Sequence, residues 1–253
     1  MSISAARIGA VTHKELTEFR RSRLIMATMG IIPLIFLATP TAAILAIGGS
    51  TPPAQVHQAA GFLLLYLLLI PVLIPATIAA YAVAGEREQG TLEPVLSTPV
   101  RREELLIGKA SAAFIPAVSI AYLVLGVFLA IVQFGADPVV ATAVWHAPEL
   151  LAEVFFIPLL AGWTIWVGLA ISSKASDIRV AQQLSVLASL PPVALTLLLQ
   201  FKVISSTLAL VVSLAAVLLL IDCAAYLLVS KLFDTERLVT GAKATGGMTG
   251  AVP

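Results

Sequence analysis

Residues 59–109 read AAGFLLLYLLLIPVLIPATIAAYAVAGEREQGTLEPVLSTPVRREELLIGK. Residues 59–84 carry no charged side chain, and residues 85–109 carry nine of the chain's 29 charges. The first part exceeds the roughly 20 apolar residues that a helix needs to cross a bilayer. The second part is excluded from the bilayer, because each charge at that depth costs about 3 kcal/mol. The switch at Gly85 therefore predicts a membrane span that ends in a charged aqueous loop.

Working outward, similar apolar runs occupy residues 24–48, 105–134, 150–172, 182–200 and 203–230. None shows the alternating polarity of a membrane β-strand. The predicted fold is an all-α membrane protein with six transmembrane helices. Its expected divisions are an N-terminal amphipathic interfacial helix over 1–23, a six-span domain over 24–230 containing the loop 85–109, and a tail over 231–253. The end of that tail is rich in Gly, Thr and Ala and reads as disordered. Composition agrees: 59% of the 253 residues are hydrophobic, 11% are charged, and mean hydropathy is +1.02. A soluble fold of this length lacks the polar surface to cover so much apolar material. A water-soluble enzyme and a nucleic-acid-binding domain are thereby excluded, and the single Cys223 excludes a disulfide framework.

The basic residues set an orientation. Fourteen of the fifteen Lys and Arg fall before span one, between spans two and three, between spans four and five, or after span six; Lys202 alone falls on the other side. By the positive-inside rule both termini are expected in the cytoplasm of a plasma-membrane protein. In the N-terminal segment, Arg7, Lys14 and Arg21 form one stripe at seven-residue spacing. Ile8, Val11, Leu16 and Phe19 lie on the other side. That is the pattern of a helix lying on the inner membrane surface, and Lys14 and Glu18 are spaced to pair.

Local rules shape the charged loop. Gly90 is a natural helix terminator. Thr91 is placed to cap a new helix with Pro94 in its first turn, which presents Leu92, Val95 and Leu96 on one face. Thr98 and Pro99 are placed to start the next helix, and Arg101 to Glu104 form a charged collar before span three. A short apolar-faced helix held between two spans suits a groove on a cytoplasmic partner.

The run Glu86-Arg-Glu-Gln-Gly90-Thr91-Leu92-Glu93, then Leu96-Ser-Thr-Pro99, then Gly108-Lys109, resembles the loop between the second and third spans of type-two ABC exporter permeases. The resemblance covers about 25 residues densely. It implies a permease subunit that binds two ABC ATPase subunits and pairs with a second permease copy or a related permease. Its coupling residues would be Glu86, Glu88, Gly90, Thr91, Leu92, Glu93, Val95 and Leu96. ATP and Mg would reside on the partner, leaving this chain with no cofactor of its own. Several branches of that family carry a re-entrant hairpin between the last two spans; the connection here, 200–205, is too short for one.

No catalytic or metal-binding constellation is legible. Lys109 follows Gly108, but position 103 is Glu and position 110 is Ala, so no phosphate-binding G-x-x-x-x-G-K-[ST] loop exists. His13, His57 and His146 are far apart in sequence. Asp222 is the one acid well inside a span, about 13 Å along a helix axis from Lys231. It reads either as a transport-path or proton site or as a hydrogen bond locking span six to a neighbour. Glu149 and Glu153, at i and i+4 on the outer start of span four, read as an acidic mouth of the path or as a solvated helix end. Prolines occur in five spans and read as hinges or as static kinks. The alternatives to an ATP-driven exporter are a secondary transporter using Asp222 and a membrane enzyme or assembly factor without transport.

Overall fold

The computed structural model describes residues 3–48, 51–88, 90, 100–175, 177–200 and 208–232, and these are helical apart from short connections. Helix α1 is Ala5–Arg21 and α2 is Arg23–Leu45. Ser22 joins them with one extended residue: its N–H closes α1 on Glu18 and Phe19, and its Oγ accepts from Ile25 N–H to open α2. Span two is α3, Pro53–Leu67, and α4, Ile70–Ala80. A one-turn π-helix, Tyr81–Gly85, and a last turn α5, Glu86–Glu88, complete it. Then come α6, Arg102–Gly135; α7, Pro138–Trp145; α8, Pro148–Lys174; α9, Ile178–Gln200; and α10, Leu208–Leu232.

Five stretches are long and apolar enough to cross a membrane: Arg23–Leu45, Pro53–Glu88, Arg102–Gly135, Glu149–Lys174 and Val211–Lys231. They match five of the six expected spans. The remaining expectation, 182–200, falls in α9, which is not among the five and carries Gln182, Gln183, Ser185 and Ser189. Helix α6 alone is about 51 Å long at 1.5 Å per residue, which exceeds the hydrocarbon thickness and permits tilt.

At the centre α8 packs against α4, α6, α9 and α10, and α4 touches both α8 and α6. Span two is the buried one: 78% of its most apolar window lies inside, against 17% for α2 and 17% for α10. Leu34, Leu123 and Leu220 point outward with most of their surface exposed. An apolar exterior is what a lipid solvent permits and water does not. Small residues set the closest approaches. A Cβ at Gly168 of α8 would lie 2.6 Å from Ala79 Cβ of α4, so glycine lets these two backbones meet.

Two features were not legible in the hydropathy pattern. The chain breaks helix at Leu68 and Leu69, just before Pro71, so span two is two helices end to end. The π-turn is held from α8: Ser172 Oγ accepts from Val83 N–H at 3.2 Å and Ala84 N–H at 2.9 Å, and donates to Ala80 O at 2.8 Å. Between α6 and α8, α7 forms a short capped helix, with Asp137 Oδ1 accepting from Val139 N–H at 3.0 Å.

Candidate functional site

The candidate site is the base of the charged loop, where α1, α5 and α6 meet. Val11, Glu15 and Phe19 recur at i, i+4 and i+8, so all three lie on the buried face of α1. An acid on that face requires a counter-charge. Lys109 supplies it: its side chain is 1% exposed, and Nζ lies 2.9 Å from Glu15 Oε1 and 2.8 Å from Glu86 Oε1. The same ammonium donates to Ala82 O at 2.7 Å. Its three donors are thus all used by α1, α5 and the π-turn. Lys109 and Glu86 bracket the loop in sequence, so this ion pair closes the loop at its base.

A second layer surrounds that core. Lys14 Nζ reaches Glu86 at 3.0 Å, Glu18 at 3.1 Å and Glu15 at 3.3 Å. Partial burial pulls the Lys14 ammonium down, but Glu15 and Glu86 outweigh it and hold the group above its ordinary value. Arg7 grips Glu104 with Nε at 2.8 Å and Nη2 at 2.7 Å, and that hydrogen bond raises the Arg7 guanidinium above its usual value. Glu104 also accepts from Ser4 N–H at 2.8 Å and Arg101 N–H at 3.1 Å. It therefore caps the start of α6 and pins the start of α1 together. Gly108 makes the docking possible, since a Cβ there would lie 2.5 Å from Val11 Cγ1.

These contacts change the reading of α1. Its basic stripe does not all face outward: Arg7 and Lys14 turn toward acids of the loop base, while Arg21 stays exposed. Helix α6 opens at Arg102 with Arg101 as its cap; Thr98 and Pro99, expected to start it, lie outside the described residues. Lys14 and Glu18 do pair as their spacing predicts.

Among the expected coupling residues, Glu86 is buried and points inward to the two lysines rather than to a partner surface. Glu88 is exposed and accepts Ile178 N–H at 3.0 Å, which caps the start of α9. Arg87 donates to Ser173 O at 2.9 Å and to Ala175 O at the end of α8. Gly90 has φ +68, the left-handed conformation that only glycine adopts freely, so it ends the helix as expected. Thr91, Leu92, Glu93, Val95 and Leu96 lie outside the described residues. Glu15, Glu18 and Glu86 place carboxylate oxygens within 4.8 Å of one another, the spacing of a cation site. Lys14 and Lys109 already occupy that cluster, pairing with all three carboxylates and offsetting two of the three charges.

The three acids expected along a transport path are not together at one mouth. Glu149 is half-buried in the first turn of α8. Glu153 is not a solvated helix end: it is 1% exposed, and neither oxygen has a hydrogen-bond partner among the described residues. Asp222 is 9% exposed and lines a separate cavity between α6, α8 and α10. Sequence reading passed over Glu15, Arg7–Glu104 and Ser172. The signal for Glu15 was present, as an acid midway between Val11 and Phe19 on an apolar stripe.

A family model described as ABC-2 family transporter protein matches residues 13–187, more than half of the chain. A search of curated proteins finds no match. The matched range holds α1 from His13, the charged loop and its whole clamp other than Arg7 and Ser4, and most of the apolar bundle, so the chain belongs to the ABC-2 family of transporter proteins and is a multi-pass membrane permease of that family.

Proposed function

We propose that this chain is the membrane subunit of an ATP-driven exporter, coupled to a separate ATPase through residues 90–97. In this reading the chain makes six spans, with α9 as the fifth, and both termini and the loop face the cytoplasm. Two ATPase subunits carry ATP and Mg, and a second permease copy or a related permease completes the path. The observation that carries the reading is the clamp: both ends of the loop meet in one buried ion pair, Glu86 to Lys109 at 2.8 Å. A push on the loop tip is then shared by α1, span two and α6 rather than lost in a flexible hairpin. Burial strengthens this coupling, because charges away from water attract each other through a lower dielectric.

The test is reconstitution with the cognate ATPase in proteoliposomes. Leu92→Glu or Glu93→Lys should lower transport per ATP hydrolysed by tenfold or more, while insertion and ATPase content stay normal. Unchanged coupling in both variants would sink the proposal and favour a transporter or enzyme that works without ATP.

A further inference from the structure

Between α6, α8 and α10 lies a cavity of about 440 Å³. Its walls are largely apolar, with Phe114 from α6, Trp166 from α8 and Tyr226 from α10. Trp166 and Tyr226 face each other with ring centroids 5.2 Å apart. Asp222 is the one acidic or basic residue among those lining it. The residue is only 9% exposed, and Oδ1 has no hydrogen-bond partner among the described residues. Opposite it stands Gly162, where a Cβ would lie 2.9 Å from Asp222 Oδ2. The missing side chain keeps that space for the carboxylate.

We propose that this cavity binds a lipophilic organic cation, with Asp222 as its counter-ion and the aromatic side chains against its apolar body. A carboxylate isolated among apolar groups is costly, and a cation is the partner that relieves the cost. Aromatic faces add attraction for a positive charge, strongest when water is excluded. A hard metal ion is a poor fit, since Mg and Ca require several oxygen ligands and one carboxylate supplies at most two. A small inorganic ion would also leave most of the apolar volume unused, whereas an amine or quaternary ammonium with a hydrocarbon body fills both parts. The inference rests on the permease reading for calling this ligand a cargo; the binding site itself stands on the cavity.

The experiment uses the full chain in phosphatidylcholine nanodiscs, with empty nanodiscs as the control for partitioning. Benzyltriethylammonium and its neutral carbon isostere are titrated while tryptophan fluorescence is read. Saturable binding of the cation, at least tenfold tighter than the isostere, is expected. Asp222→Asn should bring the cation down to the isostere's level, and Gly162→Leu should block it with the acid intact. Equal binding of the two probes to the wild-type chain overturns the proposal, as does unchanged cation affinity in Asp222→Asn. Should Asp222→Asn not be monodisperse, the wild-type comparison and Gly162→Leu decide. Failure of the permease reading is separate: cation binding without ATP-linked transport keeps the site, and ATP-linked transport without cation binding keeps the permease.

Discussion

Two regions of this protein bury charge, and they do so in opposite ways. At the loop base, Glu15, Glu86, Glu104 and Lys109 are each within salt-bridge distance of an opposite charge. In the bundle, Glu153 and Asp222 are as well hidden, yet Glu153 has neither oxygen bonded and Asp222 Oδ1 is without a partner among the described residues. A buried charge is tolerated when its counter-charge is built in. The loop base has the chemistry of a joint, where removal of one member exposes the others. The bundle acids have the chemistry of vacancies, where removal relieves the surrounding protein.

The largest effect should come from turning the joint into a vacancy. Lys109→Met leaves Glu15 and Glu86 to the more exposed Lys14 and should cost about 3 kcal/mol, the lower end of the penalty for breaking a buried ion pair. Thermal unfolding in detergent reads it as a lowered midpoint. Replacing Glu15, Glu86 and Lys109 together with apolar or amide side chains should recover most of that loss, since a whole buried ion pair is often replaceable. Smaller and opposite in sign, Glu153→Leu should stabilise the fold by about 1–3 kcal/mol, the cost of a buried polar group left unpaired, and so raise the midpoint. A lowered midpoint would mean that Glu153 has a partner and that the two regions are alike.

Gly108→Ala tests the contact that brings α1 to the joint. The added methyl meets Val11, and overpacking of this kind costs about 1–3 kcal/mol. Limited proteolysis before Arg23 should accelerate; an unchanged rate would show that α1 is held by charge alone. The smallest effect belongs to Lys14, which is more than a third exposed. Lys14→Ala should cost at most about 1 kcal/mol, since water screens it. Its folded value lies above its unfolded one, so its contribution is complete at neutral pH. That contribution declines only as pH rises past the ordinary lysine value of about 10.4. Loss of the Lys14 difference between about pH 7 and pH 9, where lysine and carboxylates are both charged, would contradict the geometry in paired pH titrations.

Five of the expected spans were legible because lipid imposes one rule on them, and runs such as 59–84 satisfy it without interruption. Span ends were legible too, where Gly90 and the charges at 85–109 break the apolar pattern. The joint was only half legible. Glu86, Gly108 and Lys109 stand out through resemblance, but their roles depend on α1 lying across α6, a contact nearly 100 residues apart in sequence. Arg7 with Glu104 and Glu15 with Lys109 are pairings of that long-range kind. Ser172 was invisible for the same reason, since one serine in an apolar helix carries no mark of the turn it bonds.

That serine has a further consequence. A π-turn holds one residue more than an α-turn, so it offsets everything beyond it by about 100° around the axis. The angular phase of Glu86 is therefore decided at Tyr81–Gly85, where Ser172 takes up the N–H and C=O groups of the wide turn. Helix α8 thus acts as the keyway for span two: while its hydroxyl is seated, Glu86 is indexed toward Lys109, and an α-helical turn in its place would swing the carboxylate to another sector of the helix.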